Sequence, residues 1–242
     1  MAQTDSGEQG VRLIVVDFLL GGVVALFCGL DRFALLQLAI SRPIVAAPLA
    51  GLVLGNPSIG LQVGLLVELL WLARLPVGAA VPPDDTQVSI ATTVVVIAAG
   101  KSMNGGGIEL ILLTLLVTIP LGKFGQYFDH YARHYNARLS KQVELACEKG
   151  SLALAEWQHL RGLISFSLAA LSTYVVILAG GLLLLPLLLP LLGKALSYSA
   201  DWLALAIPLV GIAVILGTLN VSRALTLFCA AFGTAFLLMW LV

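Results

Sequence analysis

Glu68 is a carboxylate set inside an apolar segment long enough to cross a membrane. Asp84 and Asp85 follow it across a run of prolines and small residues: Pro76, Gly78, Ala79, Ala80, Pro82 and Pro83. Ionised side chains in a bilayer cost roughly 2.5–3.5 kcal/mol each on insertion scales, so they are rare and face a cavity or a partner. Non-helical backbone at membrane depth is tolerated only where protein or water covers it. A buried acid beside an interrupted helix is the arrangement found at transporter sites. Glu68 can accept hydrogen bonds from the hydroxyls of a polar substrate, hold a proton, or pair with Arg74 or an arginine on another helix. Asp84 and Asp85 can point into the same site, or cap the next helix, where the dipole favours anions. Gln62 offers an amide less than two turns before Glu68, although six residues do not define one helical face.

Other polar groups carry weaker signals. His130 and His134 share an i, i+4 spacing that suits metal ligation, yet no HExxH motif or cysteine cluster completes such a site. They read as solvated histidines, and so does His159. No metal, cofactor or catalytic residue is expected. Cys28, Cys147 and Cys229 are too scattered for a disulfide framework. Asp31, Arg32 and Arg42 read as ion-pairing among themselves. Asp17 can lie at the membrane interface or at the site.

The elements that must position these groups are membrane helices. The 242-residue chain is 60% hydrophobic and 11% charged, against about 25% charged for a soluble domain, and its mean hydropathy is +1.02. A net charge of zero gives no reason to expect nucleic acid as a partner. The first ten residues lack Lys and Arg, a poor signal peptide, so the first apolar stretch is expected to be retained.

The reading is an all-α, polytopic membrane protein with short re-entrant hairpin segments and a discontinuous helix. Residues 1–12 form a polar tail, 13–122 an N-terminal membrane region with the proposed site, 123–162 a polar loop, and 163–242 C-terminal membrane helices. Leu13–Leu30 has spanning length. Residues 33–42 suggest a short interfacial or re-entrant helix, and Pro43–Gly55 is another short apolar segment. Asn56 and Pro57 form a helix start, with Asn as N-cap and Pro at the first position. That helix runs to Leu75, and a second, capped by Asp84, Asp85 or Thr86, runs to Gly100. Ile108–Leu121 follows a glycine turn. Lys123–Arg161 holds all three histidines and a cluster of basic residues, which places it in the cytoplasm. Residues 138–160 suggest a surface helical hairpin broken at Gly150. Leu163–Gly193 reads as a helix ending near Pro186 with a break through Pro190. Leu203–Leu219 and Ala224–Val242 complete roughly eight or nine membrane elements, by thickness arithmetic.

The stretch from Gly60 to Asp84 resembles enzyme IIC of the mannose/fructose/sorbose branch of the bacterial phosphotransferase system. Gly60, Leu61, Gly64, Leu66, Glu68 and Leu69, then Pro76, Gly78, Ala79, Ala80, Pro82, Pro83 and Asp84, follow the family pattern. Asp31-Arg32 through Arg42-Pro43, the run to Gly55, Glu148-Lys149-Gly150 and Glu156–Gly162 (EWQHLRG) are also similar. The resemblance is good over roughly residues 12–162 and weaker beyond. It implies a multi-pass subunit of the bacterial cytoplasmic (inner) membrane, oligomeric, that forms the path of a hexose-type sugar with a IID membrane subunit. Cytoplasmic IIA and IIB proteins would relay the phosphoryl group, so this subunit would carry no phosphohistidine. Glu68 and Asp84 match the family's acidic positions, while Arg74, the doubled acid at Asp85 and the divergent C-terminal third depart from its pattern. Two other functions compete. A non-transporting regulatory or assembly subunit would tolerate loss of Glu68. A membrane-embedded enzyme on a lipid substrate would need clustered acids or histidines at the membrane face.

Overall fold

The computed structural model describes residues 2–35, 37–72, 81–103, 107–148, 150–218 and 223–241. All regular structure among them is helical: α1 (Ala2–Phe33), α2 (Pro43–Val53), α3 (Pro57–Trp71), α4 (Asp85–Met103), α5 (Ile108–Leu121), α6 (Lys123–Glu148), α7 (Leu152–Thr218) and α8 (Ala224–Leu241).

α4 is the centre. Every residue from Thr86 to Ala98 is buried, and α1, α2, α3, α5 and α7 all pack on it. Its composition suits that place, with valines and alanines filling space and small hydroxyl residues closing their own bonds. Ser89 donates to the Thr86 carbonyl and Thr93 to the Ser89 carbonyl, both at 2.8 Å. Thr92 meets Thr118 of α5 hydroxyl to hydroxyl at 2.7 Å. In a membrane, where apolar burial no longer drives helix association, such close contacts and interhelical bonds hold helices together, each bond worth about 0.6 kcal/mol.

α2 and α3 form a tight antiparallel pair through small residues. A Cβ on Gly64 would sit 2.6 Å from the Pro43 carbonyl, one on Gly51 2.6 Å from that of Asn56, and one on Gly60 would collide with that of Ala47. Only glycine admits such backbone approach. The turn between them uses Gly55 at φ +78°, and the Asn56 side chain accepts from the Ile59 N–H at 3.3 Å. The Asn56-Pro57 helix start is therefore as expected. At 11 and 15 residues the two helices are about 16 and 22 Å long, each short of the ~30 Å hydrocarbon core.

α7 lies antiparallel to α5 and α6 along most of their length. Glycines mark the register: Gly162 faces Asn136, Gly125 faces Thr173, and Gly180 faces Leu121. Near the far end, Gly107, Leu110 and Leu113 line a cavity with Leu189, Gly193 and Ser197. Gly150, at φ +67°, makes the turn between α6 and α7, where the hairpin break was expected, although the α6 arm begins as early as Lys123.

Three expectations change. Among the described residues of 33–42, none beyond Phe33 is helical. Asp31 accepts from the Leu38 and Ser41 N–H groups at 2.8 and 3.0 Å, which diverts donors that a helix would use. Gln37 and Ala39 adopt left-handed φ of 51° and 62°, and Arg42 is held extended before Pro43. Secondly, α7 continues through Pro186, Pro190 and Pro208 for 67 residues instead of breaking near Pro186. Each proline removes one helical bond, but neighbouring helices in a membrane protein re-satisfy the freed groups. Thirdly, α1 starts at Ala2, inside the expected polar tail.

Candidate functional site

Arg32 and Arg42 stand at either end of the connection from α1 to α2, and each takes an acid from a later element. Arg32, in the last turn of α1, reaches the start of α4. Its Nη1 lies 3.2 Å from Asp84 Oδ1, also contacts Asp85 Oδ1, and donates to Thr86 Oγ1 at 2.7 Å. Arg42, the residue before Pro43, pairs through Nη2 with Glu68 Oε1 on α3. The second oxygen of Glu68 accepts from the Ile44 N–H at 3.3 Å. This is one of the free donors at the start of α2, where the helix dipole favours an anion. The pairing expected among Asp31, Arg32 and Arg42 is thus replaced by pairing across elements. The reason is desolvation: the side chains of Arg32 and Glu68 are only 9% and 14% exposed, and a buried charge needs an opposite charge beside it.

Thr86 joins the two halves. Its hydroxyl accepts from Arg32 and donates to the Ser41 carbonyl at 2.7 Å, one residue from Arg42. A polar relay therefore links Glu68 and Arg42, through the Ser41–Arg42 backbone and the Thr86 hydroxyl, to Arg32, Asp84 and Asp85. Asp84 also caps α4, accepting from the Gln87 N–H at 3.1 Å. Capping and ion pairing thus occur in the same residue.

The linker before α4 is seated on α6. The Asp84 N–H donates to the Gly122 carbonyl at 3.1 Å, and the Gln126 side chain donates to the Val81 carbonyl. A Cβ on Gly125 would lie 2.7 Å from Asp84 Cβ. A second charged layer flanks this contact. Asp129 takes Arg133 Nε at 2.8 Å, and both Arg32 and Arg133 cover the Phe33 ring, at 5.3 and 5.2 Å. Behind them Gln87 is fully buried and donates to the Ala25 carbonyl at 3.0 Å, while its Oε1 meets no donor among the described residues.

Of the acids expected at the site, Glu68, Asp84 and Asp85 come together in the relay. Gln62 does not: it lies on the exposed side of α3 and donates to Ser58 at 3.3 Å. Asp17 is buried toward the other end of α4, paired with Lys101 at 2.6 Å. Arg74, Pro76, Gly78, Ala79 and Ala80 lie outside the described residues. His130, His134 and His159 are exposed, and no cluster able to hold a metal occurs among the described residues. In the sequence Thr86 stood out only as a possible cap, and Ser41 and Gln87 did not stand out. Their signal was weak, since a Thr or Gln beside a helix start usually only caps it.

The described residues define an all-helical membrane protein that buries a cluster of carboxylates and arginines at the start of α4. Residues 15–241 match the model of the family described as "PTS system sorbose-specific iic component". The chain belongs to this phosphotransferase-system IIC family, and the match extends the similarity well beyond residue 162. It is 27% identical over 223 residues to the mannose-specific EIIC component of Escherichia coli K12, covering 92% of this chain and 79% of that protein. It is also 27% identical to the sorbose-specific EIIC component of Lacticaseibacillus casei, over 62% of this chain and 50% of the relative. Two solved structures are similar at 25% identity, each covering 93% of this chain and 86% of the other. One is described only as a membrane protein, with a TM-score of 0.65. The other is the mannose transporter ManYZ in complex with microcin E492, with a TM-score of 0.52.

Proposed function

We propose that this chain is the sugar-conducting IIC subunit of a mannose-family phosphotransferase system in a bacterial cytoplasmic membrane. It works as part of an oligomer with a IID membrane subunit, and it delivers a hexose-type sugar to cytoplasmic IIA and IIB phosphocarriers. The ManYZ likeness and the mannose-specific relative support that assignment. In this reading α2 and α3 form a re-entrant hairpin, and the α6–α7 hairpin faces the cytoplasm.

The observation that carries the site is the pairing of Glu68 on α3 and Asp84 at the start of α4 with separate arginines. Each carboxylate has about four lone-pair positions. Arg42 and the Ile44 N–H occupy only part of the capacity of Glu68, and Arg32 and the Gln87 N–H only part of that of Asp84. The remaining positions accept sugar hydroxyls, while the arginines orient the carboxylates. Asp85 is the second acid on Arg32. Gln62 is left out of the sugar contacts because it faces outward. Selectivity follows from leaving buried polar groups unpaired when the wrong substrate binds.

The test is phosphoenolpyruvate-dependent sugar uptake in cells that carry the four components. Glu68→Gln should abolish or strongly reduce uptake while membrane insertion persists. Unchanged uptake would sink the site.

A further inference from the structure

Between α6 and α7 runs an open groove of about 630 Å³ that the sugar site does not use. Tyr127 and Tyr131 form one wall, Ile164 and Leu168 the other, and Arg161 stands at one end. Both tyrosines are more than 70% exposed. A second cavity of about 410 Å³ adjoins it, sharing Tyr131 and Tyr135 and adding His130, His134 and Arg138. One apolar trough is therefore continuous with one basic patch.

The polarity is ordered along the helices. From Arg161, α7 runs through Ile164 and Leu168 to Ser172, roughly 16 Å at 1.5 Å per residue. It then enters a stretch without charge that reaches Gly193. The basic end thus lies toward the polar hairpin tip and the apolar end toward the bilayer core, the same order as headgroup and acyl chain in a leaflet. The cations are available. Arg161 is oriented by Tyr135 Oη at 2.7 Å and Gln158 Oε1 at 3.1 Å, which leaves some of its five N–H donors free. Neither Arg161 nor Arg138 pairs with a carboxylate among the described residues. The acid beside His130, Asp129, is buried against Arg133. Basic pockets between membrane helices bind anionic headgroups, and exposed tyrosines favour that interfacial depth.

We propose that this groove holds one anionic phospholipid, with its phosphate on Arg161 and Arg138 and an acyl chain along Ile164, Leu168 and Tyr131. The site is separate from the sugar relay and does not depend on the sugar reading.

Native mass spectrometry of the full chain in detergent tests it, with palmitoyl-oleoyl phosphatidylglycerol and the matching phosphatidylcholine offered at equal concentration. Phosphatidylglycerol should be retained in preference, and the Arg138→Gln/Arg161→Gln double variant should lose that retention by about ten-fold. If removing Arg161 disturbs folding through Tyr135, Arg138→Gln alone and Leu168→Glu carry the test, since both residues are exposed. Each should weaken retention while circular dichroism stays unchanged. Equal retention of the two lipids, or undiminished phosphatidylglycerol in the folded variants, would overturn the proposal. Displacement by inorganic phosphate alone would overturn it too, by pointing to a bare anion site. So would a change in oligomeric state without bound lipid, which would assign the groove to a second copy.

Discussion

Arg42 and Glu68 are 26 residues apart in sequence and paired in space, side chain to side chain, across the α2–α3 hairpin. The arginine sits just before the proline that starts α2, and the acid lies in the last turns of α3. The pair closes the hairpin at the end opposite its Gly55 turn. It also fixes Glu68 against the N-terminus of α2.

Neutralising the acid should separate substrate recognition from folding. Hydrogen bonds to a charged group are worth about 1.5–3 kcal/mol, so Glu68→Gln should lower sugar uptake by about ten-fold or more, measured with radiolabelled sugar. The amide keeps the shape and can still accept from the Ile44 N–H. Detergent-solubilised yield and helical content should therefore stay near those of the parent.

Removal of Arg32 is a test of burial rather than of binding. Arg32→Gln leaves Asp84 and Asp85 without their cation, and breaking a buried pair costs roughly 3–5 kcal/mol. A large drop in thermal stability is expected. Adding Asp85→Asn to Arg32→Gln should recover part of it, because one of the two uncompensated charges is gone. Equal stability of the single and double variants would show that Asp85 does not feel Arg32.

Backbone approach in the α2–α3 pair predicts a graded glycine series. Gly60→Ala forces a methyl group into the Ala47 carbonyl and should destabilise by about 1–3 kcal/mol or more, as overpacking does. Gly233→Ala in α8 meets nothing within 4 Å and should be neutral or slightly stabilising, since alanine is the better helix former by up to about 1 kcal/mol. Thermal melts in one detergent compare the two directly.

Gln62 provides the contrast within α3. Because its side chain is exposed and, among the described residues, bonds only to Ser58, Gln62→Ala should change uptake far less than Glu68→Gln. A loss equal to that of Glu68→Gln would mean that α3 turns during transport and brings Gln62 to the sugar.

Local chemistry was legible in the sequence because its causes lie within a few residues. Apolar composition set the membrane class, Asn56-Pro57 set a helix start, the Asp84–Thr86 stretch offered a cap, Pro43 set a boundary, and Gly150 set a turn. Glu68, Asp84 and Asp85 were also visible, since carboxylates in an apolar chain stand out. Only the tertiary structure decided their partners. Arg32 and Arg42 looked local to Asp31, yet Asp31 spends its oxygens on the Leu38 and Ser41 N–H groups, and the arginines turn to Asp84, Asp85 and Glu68. The path of 34–42 followed from that choice and not from its apolar spacing. Pro186 and Pro190 looked like an end to α7, but a proline breaks a helix only where nothing else holds it. Here α5 runs beside that stretch of α7, which stays helical. Charge pairing and helix continuity depend on which elements meet in space, and that meeting is a property of the whole fold.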